Sequence, residues 1–251
     1  MLTAMGLGLE VGGRSLLKNI HLSMGAGERI AILGANGAGK TCLLQTLAGL
    51  RPYTGQVCYA GVDLQEYPHR KRAALRAYLG AQHRDGLPFS AAEIVAMGSA
   101  YQKRFFSATL ASEHIDAVLK QVGFTLGGNA RFDGLSSGEK QLVLLAQALV
   151  QKPAFYFLDE PFTYLDLPHQ ILLTETLRQL SNGSAAIIMA IHDLSLASRL
   201  CERFIFIKQG VVIADGTQQE VLTPPLLREA FGNDIRPAGS TCESWFTSSL
   251  P

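Results

Sequence analysis

The clearest chemical pattern in the sequence is a run of eight residues, 34–41, that fits G-x-x-x-x-G-K-[ST]. Glycines in this pattern let the main chain approach phosphate oxygens, while the lysine can reach the β- and γ-phosphates and the final hydroxyl can bind Mg²⁺. The pattern predicts a loop that binds the phosphates of a nucleotide. The predicted binding residues are Gly34, Ala35, Asn36, Gly37, Ala38, Gly39, Lys40, Thr41 and the following Cys42.

The sequence around this loop has the order of elements that phosphate binding requires. Residues 28–33 are typical of a short buried strand, and residues 42–48 continue as an apolar helical segment. The N-terminus of that helix would place the positive end of its dipole beside the phosphates. The alternative, a glycine-rich turn with a solvated lysine, does not explain this strand–loop–helix order.

A pair of carboxylates forms a second candidate site. The apolar run 155–158 is followed by Asp159 and Glu160, which places both side chains at the carboxyl end of a predicted strand, where ligands bind in open α/β sheets. Asp159 is suited to hold Mg²⁺, directly or through water, and Glu160 to polarise the water that attacks a γ-phosphate. An isolated acidic pair could equally cap a helix. The phosphate loop upstream favours the catalytic interpretation.

Short buried strands alternate with helical segments, which predicts an α/β fold with a mostly parallel sheet covered by helices on both faces. Residues 2–24 predict two antiparallel strands around a Gly-Gly turn, a β flap beside the phosphate loop. Between residues 83 and 151 helical spacing replaces the strand pattern. We therefore expect a nucleotide-binding core (1–82 and 152–251, with the flap and C-terminal helices) and a helical subdomain (83–151).

Composition limits the possible partners. The chain has 251 residues, 47% of them hydrophobic, and a formal net charge of +1, so it offers no general attraction for polyanions and we expect no nucleic-acid partner. Its apolar runs are shorter than the roughly 18 residues that span a bilayer, and the N-terminus lacks a secretory signal pattern. Four cysteines form no C-x-x-C pair. These features predict a cytoplasmic location.

Four further motifs are similar to those of a known family. The run LSSGEKQ at 135–141 resembles the signature loop of the ATP-binding subunits of ABC transporters, and Gln82 matches the Q-loop glutamine. Asp166 lies in a segment that matches the D-loop, and His192 matches the switch histidine. All six motifs occur in the family's order, and the resemblance covers nearly the whole chain. A P-loop kinase would not explain the signature loop or His192.

The resemblance implies an ATPase that uses ATP and Mg²⁺. Glu160 would be the catalytic base, acting with His192, Lys40 and Gln82, and Gln82 would join Thr41 and Asp159 at the metal. It also implies a head-to-tail homodimer in which each signature loop closes on the partner's γ-phosphate. The residues expected there are Ser136, Ser137, Gly138 and Glu139, together with Asp166.

The residues support an anion site at the signature loop independently, because Ser136 and Gly138 precede a long apolar helix whose N-terminal N–H groups suit a phosphate. Two positions depart from the family pattern. Ser137 stands where a second glycine is usual, and a side chain there could crowd the phosphate. Val11 stands where an aromatic residue stacks on adenine, which predicts weaker nucleotide binding and weak discrimination between bases.

The resemblance further implies an importer that works through two membrane permease subunits at the cytoplasmic face of the inner membrane, supplied by a periplasmic or surface binding protein. Segments 159–170, 192–201 and 216–224 are similar to the branch that takes up iron–siderophore complexes, haem and cobalamin. We expect an iron–siderophore complex as cargo, with cobalamin and haem next. A soluble, non-transport ABC ATPase is the alternative class, but such chains usually carry two cassettes or a long coiled-coil insert.

Overall fold

The computed structural model describes residues 1–81, 87–99 and 108–232. In the first half of the chain, strands and helices follow one another as the sequence predicts. The elements are β1 (Leu2–Val11), β2 (Arg14–Met24), β3 (Arg29–Leu33), α1 (Lys40–Leu47), β4 (Thr54–Tyr59), β5 (Val62–Asp63), α2 (His69–Leu75) and β6 (Arg76–Leu79).

The second half begins with helices and then returns to alternating strands. Its elements are α3 (Ala91–Met97), α4 (Ala108–Gln121), a 3₁₀ turn (Phe132–Gly134), α5 (Ser137–Val150), β7 (Phe155–Asp159), α6 (Leu167–Asn182), β8 (Ala186–Ala190), α7 (Leu194–Leu200), β9 (Arg203–Lys208), β10 (Val211–Thr217), α8 (Gln218–Val221) and α9 (Pro224–Phe231). In the stretch 83–151, where helices are predicted, the described elements are three α-helices and one 3₁₀ turn, joined by loops.

The strands form two sheets. Six strands lie in the order β10-β9-β3-β8-β7-β6, and every neighbouring pair is parallel except the β9–β10 hairpin. The other sheet, β2-β1-β4-β5, is antiparallel throughout and forms the flap. The predicted α/β fold, a mostly parallel sheet with an antiparallel flap, is confirmed.

The six-stranded sheet separates two apolar cores. Successive side chains of a strand point to opposite faces, and in β3 Ile30 and Ile32 join the core beneath the flap and α1, while Ala31 and Leu33 join the other. This second core includes side chains of α3, α4 and α5. Both faces of the central strands are therefore buried, which explains why these strands are apolar without alternation.

The helices α3, α4 and α5 contribute to the apolar core on one face of the six-stranded sheet. The boundary predicted at residues 82 and 83 lies outside the described residues, whereas the one at 151 and 152 falls in the turn after α5. The division into a core and a helical subdomain stays a prediction. Within the ranges described, the helices lack the combination of length and apolar character that crossing a bilayer demands.

Candidate nucleotide site

Three neighbouring parallel strands bring the predicted site residues to one edge of the sheet. The phosphate loop follows β3, His192 follows β8, and Asp159 with Glu160 ends β7. Because β8 lies between β3 and β7 and all three run in the same direction, their carboxyl ends meet at one edge. Parallel α/β sheets bind their ligands at this edge.

Two glycines give the phosphate loop its shape. Gly34 has φ 153°, and a Cβ atom there would lie 2.2 Å from the carbonyl oxygen of Ile207. Gly39, the N-cap of α1, has φ 112°, and a Cβ atom there would lie 3.3 Å from the carbonyl oxygen of Leu16. Side chains at these positions would therefore collide with β9 or strain the turn. The first N–H groups of α1 also have no side-chain cap, which leaves them available to an anion.

Lys40 folds its side chain back into the loop. Its ammonium group donates to the carbonyl oxygens of Gly34 at 2.7 Å and Ala35 at 3.1 Å, and the residue is only 7% exposed. Burial lowers the pKa of Lys40, while the nearby carboxylates of Glu160 and Asp159 act in the opposite direction. The lysine is thus a buried cation held by two carbonyl acceptors, with two carboxylates nearby, which suits an incoming phosphate.

The remaining loop residues differ in how they face the site. Ala35, Asn36 and Gly37 are exposed, and so is Thr41 in the first turn of α1. Both backbone polar groups of Ala38 are already hydrogen-bonded within the chain. Its N–H donates to the carbonyl oxygen of Ala35, and its carbonyl oxygen accepts from the N–H of Gly210 at 2.9 Å. Cys42 packs its side chain against the core beneath the flap. A phosphate contact from Cys42 would therefore come from its backbone N–H.

Asp159 is a carboxylate buried beside the phosphate loop. The residue is 1% exposed, and neither side-chain oxygen has a hydrogen-bond partner in the described part of the chain. Burial raises the pKa of Asp159, and the charge of Glu160 acts in the same direction, while the nearby Thr41, Lys40 and Tyr78 lower it. An unsatisfied buried carboxylate beside a hydroxyl fits Mg²⁺, which takes one or two protein oxygens and completes its shell with phosphates and water.

Glu160 lies at the start of a tight turn. It has φ 53°, an uncommon conformation for a residue with a side chain. Its N–H donates to the carbonyl oxygen of Ala190 at the end of β8, and the N–H of Thr163 donates to its carbonyl oxygen. One carboxylate oxygen lies 2.7 Å from Nε2 of His192. The structure therefore brings the predicted base and the predicted switch histidine into direct contact.

The signature loop lies apart from the phosphate loop. Ser136 is the N-cap of α5, and its hydroxyl donates to the carboxylate of Glu139 at 2.6 Å in a capping box. These hydrogen bonds lower the pKa of Glu139. Ser137 is exposed, and a Cβ atom on Gly138 would lie 2.8 Å from the carbonyl oxygen of Tyr164. Among the described residues, no hydrogen bond or ion pair joins 136–139 to 34–42.

Three further residues predicted from the family resemblance are Asp166, Val11 and Gln82. Asp166 caps the N-terminus of α6 by accepting from the N–H of His169 at 3.1 Å, a bond that lowers the pKa of Asp166. Val11 is 48% exposed at the end of β1, and its place beside adenine stays a prediction. Gln82 lies outside the described residues. Its predicted roles at the metal and in catalysis stay predictions.

Two residues near the site have no role in the sequence-based prediction, although one of them, Gln141, ends the signature run 135–141. The hydroxyl of Tyr78 on β6 lies beside Asp159 and accepts from Nε2 of Gln45 at 3.1 Å. This proximity depends on β6 lying next to β7, and no local pattern gives that strand order. The buried side chain of Gln141, in α5, donates to the carbonyl oxygen of Pro161 at 3.0 Å. Here a signal existed, since a glutamine inside an apolar helix needs a buried partner.

Comparisons with known proteins place the chain in a family. The sequence profile described as "ABC transporter" matches residues 17–163, more than half of the chain. A protein named "Hemin import ATP-binding protein HmuV" from Bradyrhizobium diazoefficiens is 37% identical over 93% of this chain and 89% of its own length. A protein of the same name from Gloeobacter violaceus is 35% identical over 92% of this chain and 87% of its own length.

Solved structures agree with this placement. The ATP-binding cassette MJ0796, in a dimeric post-hydrolysis state with ADP and Pi, superimposes with a TM-score of 0.80 at 22% identity, covering 86% of this chain and 98% of that one, which shows the fold alone. CbiO1 from Clostridium perfringens, titled part of the ABC transporter complex cbiONQ, matches with a TM-score of 0.72 at 26% identity, covering 91% and 92% of the two chains. The chain belongs to the family of ABC transporter ATP-binding proteins and is an ATPase.

Proposed function

We propose that this protein is the ATP-hydrolysing subunit of a haem importer. The observation that supports this cargo is the name that the relatives share, since proteins 34–38% identical over 87–100% of this chain are named hemin import ATP-binding proteins. The comparisons thus favour haem over the iron–siderophore complex that the sequence motifs alone suggested. No residue here needs to contact the cargo, because specificity for cargo belongs to the permease.

The site geometry supports a mechanism in which each residue has one task. The N–H groups at the start of α1 and the ammonium of Lys40 hold the β- and γ-phosphates. Thr41 and Asp159 would hold Mg²⁺, which when bound neutralises charge on the phosphate oxygens. Glu160 accepts the proton of the attacking water, and His192 fixes the orientation of its carboxylate.

The separation of the two loops supports a dimer. Each phosphate loop needs a second group of donors at the γ-phosphate, and the signature loop of the same chain makes no hydrogen bond with it within the described residues. Two chains paired head to tail would place the signature loop of one beside the phosphate loop of the other. ATP would then join the chains, and hydrolysis would release them.

A groove between the core and the helical segment is the proposed contact with the membrane subunits. Leu50 and Met97, both exposed apolar side chains, line it with Arg76 and Gln151, and it encloses about 380 Å³. We propose that this groove, in each chain of the dimer, receives a cytoplasmic helix of one of two permease subunits. The ATPase would then lie at the cytoplasmic face of the inner membrane. A periplasmic or surface binding protein would supply haem to the permease from the other side.

This contact is tested by crosslinking. Cysteine placed at Leu50 or Met97 should crosslink to the co-expressed permease, while cysteine placed at the exposed Val211, on β10, should not. Crosslinks from Val211 with none from the groove would contradict the proposed docking surface.

The cargo is tested by uptake in cells that lack the gene. Accumulation of labelled haem should be lost and then restored by the wild-type chain, whereas Glu160→Gln should not restore it. Uptake of a ferric siderophore and of cobalamin in the same cells should be unchanged. Normal haem uptake with failed siderophore uptake would identify the cargo as the iron–siderophore complex. Failure of cobalamin uptake alone would identify it as cobalamin.

A further inference from the structure

Gln141 is a buried polar residue that connects α5 to the turn carrying Glu160. It is 2% exposed, and its amide nitrogen donates to the carbonyl oxygen of Pro161 at 3.0 Å. Pro161 offers only an acceptor, so the nitrogen of the amide must face it. A buried amide costs free energy unless it is hydrogen-bonded, and this bond therefore fixes the distance between α5 and the residue directly after Glu160.

A second contact joins the same two elements. Gly138, in the first turn of α5, lies so close to the turn that a Cβ atom there would approach the carbonyl oxygen of Tyr164 to 2.8 Å. Tyr164 closes the turn with φ 68°, and Glu160 opens it with φ 53°. Two left-handed residues in one short turn need support from the surrounding structure. β8 provides it on one side, through Ala190, and α5 provides it on the other.

The helix that supports this turn also begins at the signature loop. Ser136 caps α5, and Gln141 follows within two turns of the same helix. We propose that Gln141 is a positioning residue through which ATP bound at the signature loop sets the position of Glu160 in the same chain. This inference rests on the proposed function in one respect, because it requires two chains to pair around ATP. One nucleotide site would then control the base of the other.

Replacement by methionine removes the donor while keeping the length of the side chain. Gln141→Met should lower kcat about fivefold to tenfold, the factor expected from one lost hydrogen bond, and leave the KM for ATP unchanged. The control is Gln147→Met, because Gln147 is a partly buried glutamine further along the same helix. A purely structural role would lower the melting temperature and the fraction of active protein, and kcat per active site, counted by stoichiometric ATP binding, would then equal that of the wild type.

A linked dimer with one silent site gives the decisive test. One chain carries Glu160→Gln, so that turnover comes from the other chain alone. Gln141→Met in the active chain should lower turnover by the same fivefold to tenfold, while the same change in the silent chain should have little effect. An equal loss from both placements, or a loss only from the silent chain, would show that Gln141 merely supports the signature loop.

The control by the second nucleotide is tested by weakening ATP binding at the silent site, at an ATP concentration that still fills the active site. Lys40→Met in the silent chain should lower turnover in the active chain about fivefold to tenfold, and it should have no further effect when the active chain already carries Gln141→Met. If the losses from Lys40→Met and Gln141→Met multiply, the two changes act independently. That result would overturn this inference and leave the proposed function standing. A Glu160→Gln chain that stays monomeric with ATP would overturn the proposed function, and this inference with it.

Discussion

The imidazole of His192 and the carboxylate of Glu160 lie 2.7 Å apart, at the ends of the neighbouring strands β8 and β7. The hydroxyl of Thr163 lies 3.4 Å from the other carboxylate oxygen. Both oxygens of Glu160 therefore have a partner in the same chain. A base oriented in this way loses little freedom when water and ATP arrive, which is the condition for efficient proton transfer.

Replacing Glu160 by glutamine should separate binding from hydrolysis. The amide keeps the size of the side chain but cannot accept a proton, so turnover should fall by about 10² to 10⁴ while ATP still binds. Phosphate release measures the first effect, and size-exclusion chromatography with ATP and Mg²⁺ should show an accumulated dimer. Glu175→Gln, on an exposed ion pair of α6, is the control and should keep normal turnover. Hydrolysis near the wild-type rate in Glu160→Gln would contradict the assignment.

Lys40→Met should act on binding instead. The methionine fills the space of the lysine stem but removes the charge that meets the phosphates, and a charge-assisted hydrogen bond of about 1.5 to 3 kcal/mol corresponds to a loss of roughly tenfold to hundredfold in ATP affinity. Titration with a fluorescent ATP analogue measures this. Lys18→Met, at an exposed lysine on β2, should bind normally. Unchanged affinity in Lys40→Met would mean that Lys40 does not contact phosphate.

Val11→Tyr should strengthen ATP binding. If the exposed end of β1 covers adenine, a tyrosine ring there would add stacking worth roughly 1 to 3 kcal/mol. The wild-type chain, without this stacking, should show GTP displacing ATP within about tenfold in competition binding. The exposed Val62→Tyr, on β5, is the matched control. If Val11→Tyr gives no gain, another residue covers the base.

Tyr78→Phe should weaken the use of Mg²⁺. Burial, together with the charge of Asp159, raises the pKa of Tyr78 to about 12, so its hydroxyl stays protonated and available to donate to Asp159, whose oxygens have no hydrogen-bond partner in the described structure. Loss of such a supporting group typically costs tenfold or more in metal affinity, and the Mg²⁺ concentration for half-maximal turnover should rise by about tenfold.

Tyr67→Phe controls for loss of a tyrosine hydroxyl elsewhere in the fold. It removes a 2.9 Å hydrogen bond to the carbonyl oxygen of Tyr59 and should leave the Mg²⁺ dependence unchanged. An identical Mg²⁺ dependence in Tyr78→Phe and the wild type would contradict a role for Tyr78 at the metal.

The local parts of the fold could be predicted because their signals are local. The strand, glycine loop and helix at 28–48 follow one another in the sequence, and the Gly-Gly turn gives the β1–β2 hairpin directly. Strand order is different, since it depends on which apolar strands find each other in the folded chain. The sequence therefore gave no indication that Tyr78 lies beside Asp159.

Backbone conformation at the site was equally hidden. Glu160 and Tyr164 adopt left-handed φ values although neither is glycine or asparagine, the residue types that usually indicate this conformation. Contacts from β8 and α5 impose it. The helix caps, by contrast, are encoded nearby, and Ser136 with Glu139 could be recognised as a capping box from their spacing alone.

The neighbours of β3 have a consequence for how the protein is made. β3 pairs only with β8 and β9 in the described structure, so Arg29 and Ile30 meet Ile187 and Ile188, more than 150 residues later in the chain. The phosphate loop that follows β3 leaves the ribosome early but cannot take its final form until β9 and the turn after it have been synthesised, because Ile207 and Gly210 contact it. The growing chain therefore exposes an unpaired apolar strand for most of its synthesis, which is when chaperones have the longest access to it.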